Sequence, residues 1–287
     1  MVSGNCIQVY KKKYIYKNIN SKKYVVFDLD ETLGCFTDLV ALWNVINNNS
    51  YSFSNEKYKS NQDKFNALMD LYPEFIRYGI INILEYLNYK KKSNTFDGVY
   101  IYTNNQISKT WSRMIIKYLE YRSNSFNLFN HIIHAFKINK RIVEPNRKGH
   151  IKSYNDFIKC SLLPKGTEIC FIDNTYYEKL NHNKVYYICP KPYFHGMKTS
   201  EIISRLIDSN LLKYCQEKTF IDYYVSNNLI SSYNKSQNEI NEDIYVSKKI
   251  LYYIQDFFIM TTKHRKTKKQ RNMSLGNFTR KKRVNIG

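Results

Sequence analysis

Five short runs of β-prone apolar residues recur along the chain, at 23–27, 98–102, 131–138, 168–172 and 185–188. The first, Tyr24-Val25-Val26-Phe27, has the pattern of a buried strand. Between the first two runs, 65–89 reads mostly as one helix, with Ile80, Ile83, Leu84 and Leu87 at the spacing of a single apolar face. Further helices are expected at about 108–121, 153–160 and 198–213. Residues 36–43 read as helix or tight loop, the Asn- and Ser-rich 47–63 as a surface excursion, and 139–150 as a basic loop. Ahead of the first run, 7–10 and 14–16 suggest an edge strand or hairpin. Strands alternating with helices predict an α/β fold whose doubly wound, mainly parallel sheet is built from right-handed βαβ units.

Ligands of such sheets bind beyond the carboxyl ends of the strands. Three runs end in polar pairs, Asp28/Asp30, Thr103/Asn104 and Asp173/Asn174, so groups distant in sequence are expected to share one rim. In extended chain, residues i and i+2 lie on one face, so Asp28 and Asp30 can look into the same pocket. Two such carboxylates repel. The pair is tolerable where a divalent cation neutralises one, or where one stays protonated and acts as an acid. Both conditions suit an enzyme in which one Asp attacks phosphorus, its neighbour shuttles the proton and Mg²⁺ screens the charge. The competing reading is an Asx turn and helix cap, with Thr32 as the capping hydroxyl.

Composition narrows the setting. A formal charge of +21 on 287 residues marks a strongly basic chain, but ten of the basic residues fall between Lys263 and Arg283 with no acid among them. The excess is thus concentrated in a tail at 263–287, expected to be disordered and suited to contacts with nucleic acid or a nuclear-import receptor. Before it, 238–260 is a plausible amphipathic helix within an extension spanning 216–262. The six cysteines form no C-x-x-C pair, so neither zinc nor a disulfide framework is expected and an intracellular, reducing compartment fits, nuclear or cytoplasmic alike. No apolar leader opens the chain, and the late apolar run 250–260 is too short for a bilayer, so no membrane partner is expected.

Taken together, Asp28-Leu-Asp-Glu-Thr-Leu33, the strand-ending Thr103, a lysine before the 153–160 helix and the strand-ending Asp173-Asn174 resemble the haloacid-dehalogenase-like phosphatase superfamily. Within it, the first string and Arg77-Tyr78-Gly79 are similar to motifs of the RNA polymerase II C-terminal-domain phosphatases and the NLI-interacting-factor-like group, with Tyr78 in place of a proline. The resemblance covers roughly 23–190 and implies a phosphatase domain at 1–215 with a minimal cap or flap at 37–64. It implies Asp28 as nucleophile and Asp30 as acid and base. Mg²⁺ would be held by Asp28, the Asp30 carbonyl and Asp173, with Asn174 nearby. Thr103 and Asn104 would contact phosphate, with Lys152 or alternatively Lys148. With so little chain free for a cap, the rim is expected to be open, which favours a phosphorylated protein substrate, phosphoserine or phosphothreonine. The alternatives are a phosphatase of nucleic-acid ends or nucleotides, and a non-catalytic nucleic-acid-binding protein on the same scaffold.

Overall fold

An uninterrupted apolar run such as Val25-Val26-Phe27 needs cover on both faces of its sheet. The computed structural model describes the backbone of residues 6–11 and 22–281, with side chains as far as Thr261, and supplies that cover. The strands are β1 (Ile7–Lys11), β2 (Lys23–Phe27), β3 (Gly98–Tyr102), β4 (Phe129–Ile133), β5 (Lys137–Ile138), β6 (Arg141–Ile142), β7 (Glu168–Ile172) and β8 (Val185–Pro190). The helices are α1 (Thr37–Asn48), α2 (Asn61–Asp70), α3 (Ile80–Lys92), α4 (Lys109–Arg122), α5 (Tyr154–Ser161), α6 (Thr199–Asp208), α7 (Glu217–Ser226) and α8 (Gln237–Lys281).

Six strands form one sheet in the order β1-β8-β7-β2-β3-β4, parallel throughout except for β1, which runs antiparallel along the edge of β8. Val25 pairs with Val99 on one side and Cys170 on the other, which aligns the carboxyl ends of β2, β3 and β7. The chain builds outward from β2 through β3 to β4, then crosses back to β7 and β8. The order therefore reverses between β2 and β7, and a doubly wound sheet opens its crevice at such a reversal.

Strand alternation assigns the two faces. Val25, Phe27, Val99, Ile101, Cys170 and Ile172 look into the larger core, while Tyr24, Val26, Tyr100, Tyr102, Ile169 and Phe171 look into a smaller one that holds Tyr154 and Phe157 of α5. The larger core also takes in Phe220 and Tyr224 of α7 and Val246, Ile250, Ile254 and Phe257 of α8, all fully buried. Of the stripe the 238–260 pattern suggests, Ile254 and Phe258 are buried, Ile244 and Leu251 are half-buried and Ile240 is exposed, so the packed face is rotated toward Val246, Ile250 and Phe257. Each such side chain contributes about 1.5–3 kcal/mol relative to exposure.

Several boundaries differ from the sequence reading. The single helix at 65–89 is two, α2 and α3, because Pro73 opens a tight turn over Pro73–Phe75 and Gly79 takes a φ of 73°, a conformation that only glycine adopts at little cost. A capping box of Ser60 and Asp63 starts α2 inside the expected surface excursion. The third strand is β4, displaced toward the amino end of 131–138. Beyond it the chain turns into a small β5–β6 hairpin, with Asn139 and Lys140 both at positive φ as a two-residue turn of that kind requires. Residues 37–64, read as a flap, contain α1, whose Leu39, Leu42, Val45 and Ile46 are buried. Helix α8 carries the backbone through the basic stretch to Lys281, where the sequence reading has a disordered tail; residues 282–287 lie outside the described ones, as does the expected strand at 14–16. Among the described residues, no helix is long and apolar enough to cross a membrane.

Candidate active site

Strand β2 delivers Asp28 directly. Its amide continues the ladder by donating to the Ile172 carbonyl at 2.9 Å, after which the chain coils, with Glu31 at a φ of 57° and the Leu33 amide returning to Leu29 at 2.9 Å. Arg77 fixes this coil. Fully buried, its guanidinium donates to the carbonyls of Thr32 at 2.7 Å, Glu31 at 2.6 Å and Lys191 at 2.8 Å. Burial lowers its pKa to about 10, which leaves it charged at neutral pH. The Arg77-Tyr78-Gly79 string singled out in the sequence thus acts as a clamp on the aspartate loop.

At the centre of the rim, Lys152 Nζ lies 2.5 Å from Asp28 Oδ1 and 2.7 Å from Asp173 Oδ2. Residues at the ends of β2 and β7, 145 positions apart, therefore meet on one nitrogen. Only 1% of Lys152 is exposed, and the rings of Tyr102, Phe171 and Tyr177 surround its ammonium at 5.5–5.8 Å. Lys148, the alternative, points its side chain to solvent and uses its amide on Asp156. The N-cap Ser153 starts α5 immediately after Lys152, which holds that lysine at the inner end of the helix.

Thr103 is fully buried at the end of β3, and its hydroxyl oxygen accepts the Asn105 amide at 2.9 Å. The side chain that reaches the aspartates is Asn105, whose Nδ2 donates to Asp30 Oδ2 at 2.9 Å. Asn104, the expected phosphate contact, is engaged elsewhere: its Oδ1 accepts from Arg147 at 2.7 Å, and its Nδ2 donates to the His150 carbonyl and the Tyr177 hydroxyl, both at 3.0 Å. Arg147, buried to 2% exposure, also donates to the carbonyls of Thr103 at 2.9 Å and His134 at 2.6 Å, fastening the β3 loop to the segment leading to Lys152. Nothing in the sequence separated Asn105 from Asn104, or Arg147 from other basic residues of its loop. Asn174 latches the two aspartate loops. It donates its amide to the Thr32 hydroxyl at 3.0 Å, accepts that hydroxyl's proton at 2.9 Å, and donates its Nδ2 to Glu31 at 3.2 Å. Thr32 is therefore a bridge to β7.

Two carboxylates thus share one ammonium, with Asp30 within its electrostatic reach. Burial, then the charge of Asp28, raises the Asp30 pKa to about 6, against the pull of the Asn105 hydrogen bond and Lys152. Asp173 is also raised, by burial first, with Lys152 opposing. Burial works against the Lys152 charge, but Asp173 and Asp28 outweigh it and hold the ammonium above lysine's ordinary pKa. A carboxyl raised in the folded state contributes its full stability below the unfolded pKa, about 3.9, and loses it as pH climbs through the folded value. In metal-free buffer, Asp30→Asn is therefore expected to exceed the wild type in stability by about 2–3 kcal/mol at pH 8 and to match it near pH 4. Urea melts at the two pH values measure this, and a gap indifferent to pH would contradict the electrostatic account.

Asp28 and Asp173 offer carboxylate oxygens of the kind a hard cation takes, with Lys152 already on one oxygen of each. They are not an all-side-chain metal centre: among the described residues, no three His, Cys, Asp or Glu side chains gather to hold an ion. Beside Asp30 opens a cleft of about 370 Å³, walled by α1 and by α7 with the residues that follow it. Comparison of the chain with protein-family models, curated proteins and solved structures found no match.

Proposed function

We propose that the chain is a phosphomonoester hydrolase of the haloacid-dehalogenase-like kind, with a minimal cap, acting through an aspartyl-phosphate on phosphoserine or phosphothreonine in proteins. The observation that carries this reading is the buried ammonium of Lys152 held between Asp28 and Asp173 at the sheet's reversal point. A purely structural Asx turn has no use for a fully buried lysine, which is costly to desolvate.

In this reading an Asp28 oxygen forms a bond to phosphorus as the ester oxygen–phosphorus bond breaks, and the departing oxygen keeps the electron pair and takes a proton from Asp30. Water then attacks the aspartyl-phosphate and returns its proton to Asp30, releasing phosphate and restoring Asp28. The raised Asp30 pKa of about 6 suits both halves, because a group titrating near the working pH can donate and then accept. Lys152 places positive charge where the phosphoryl oxygens gain negative charge. Thr103, its oxygen already accepting from the Asn105 amide, has its hydroxyl hydrogen for a phosphoryl oxygen. Mg²⁺, held by Asp28, the Asp30 carbonyl and Asp173, would neutralise the approach of a dianionic ester to these carboxylates. Several groups must act together, since uncatalysed phosphate-monoester hydrolysis needs accelerations of up to ~10²¹.

Purified protein is expected to release phosphate from an aryl phosphate in Mg²⁺ and to lose this turnover in EDTA. No metal-dependent release at any pH from 5 to 8 would overturn the proposal.

A further inference from the structure

The proton donor in a displacement of this kind stands on the side of the leaving group, so whatever space adjoins Asp30 receives the rest of the substrate. That space is the cleft of about 370 Å³, roughly the share of a dozen waters, which is room for one or two side chains beside the phosphorylated residue. Asp30 and Asn105 line it together with Phe36, Val40, Ala41 and Ile107, and with Tyr223 and Leu229, contributed by α7 and the turn after it. The last two belong to the carboxyl-terminal third, beyond the stretch that carries the phosphatase resemblance.

The charge of the lining is its second property. The chain carries a net +21, yet among the described residues no lysine or arginine lines this cleft, and its carboxylates, Asp30 and Glu31, are both acidic. An anionic leaving group would meet the Glu31 carboxylate, while Arg77, the cation beside Glu31, is buried, committed to main-chain carbonyls and outside the lining. An uncharged apolar group meets aliphatic and aromatic wall and displaces water from it.

Resting on the phosphatase reading above, we infer that this cleft selects phosphopeptides whose phosphorylated residue is flanked by an apolar, uncharged side chain, and that it disfavours acidic flanks and nucleic-acid ends. The α7 segment is thereby part of substrate recognition.

The test compares kcat/KM in Mg²⁺ for two phosphoserine peptides that differ only in a leucine or a glutamate beside the phosphoserine, with a 5′-phosphorylated oligonucleotide and phenyl phosphate alongside. The wild type is expected to prefer the leucine peptide by about tenfold or more over both the glutamate peptide and the oligonucleotide. Leu229→Lys, and independently Ile107→Lys at an exposed lining position, are expected to shrink that preference below about threefold. Turnover of phenyl phosphate without a preference between the peptides, or preference for the oligonucleotide, would overturn this inference alone. A preference unaffected by both lysine variants would overturn its assignment to the cleft. Absence of turnover with every ester would overturn the phosphatase reading and this inference with it.

Discussion

Lys152→Met is expected to destabilise the metal-free protein by about 3–5 kcal/mol at pH 8 and by less than half of that at pH 5, read from urea melts at the two pH values. The methionine fills much of the same space, so the loss is electrostatic. Burial already raises the Asp173 carboxyl, and the ammonium 2.7 Å away is the main influence holding it down. Without Lys152, Asp173 faces Asp28 with no intervening cation, and its pKa climbs further. The sign follows from linkage: the stability contribution of a raised carboxyl is intact below about 3.9 and drains away as pH rises through the folded pKa, so the penalty grows from pH 4 to pH 8. Millimolar Mg²⁺ is expected to restore part of the loss by substituting one cation for another. An equal penalty at both pH values would mean that Lys152 contributes packing alone.

The second large effect is on chemistry. Asp28→Asn is expected to reduce phosphate release from an aryl phosphate by on the order of 10⁴-fold or more while leaving the urea midpoint nearly unchanged. The amide keeps an oxygen that can accept from Lys152 and retains the shape of the loop, which Arg77 clamps through main-chain carbonyls and not through this carboxylate. It loses the attacking group of the proposed mechanism. Residual turnover within about tenfold of the wild type would remove Asp28 from the role of attacking group and leave Asp30 to explain catalysis unaided.

The two variants together separate the jobs that the buried triad combines. Lys152→Met perturbs stability and turnover, whereas Asp28→Asn perturbs turnover. A protein that used these residues only to hold its loops together would show the reverse weighting, with Asp28→Asn as costly to stability as the loss of the lysine.

What the sequence by itself determined about this protein is what local pattern can carry. The run Tyr24 to Phe27 is apolar at every position, so it had to be a buried strand, and the aspartates after it had to emerge at its carboxyl end. The same reasoning located the ends of β3 and β7, and strand–helix alternation then required a mostly parallel sheet that aligns those ends. Tertiary structure alone decided that Asn105 and not Asn104 reaches the aspartates, that Arg77 and Arg147 are buried clamps, and that α7 walls the cleft. The physical reason is that a charged or amide side chain in a chain rich in both carries no local mark of its partner. Its role is set by burial and by groups from other elements, such as Asp28 for Lys152 and Asp30 for Asn105, whose approach exists only once the sheet has brought its strand ends together.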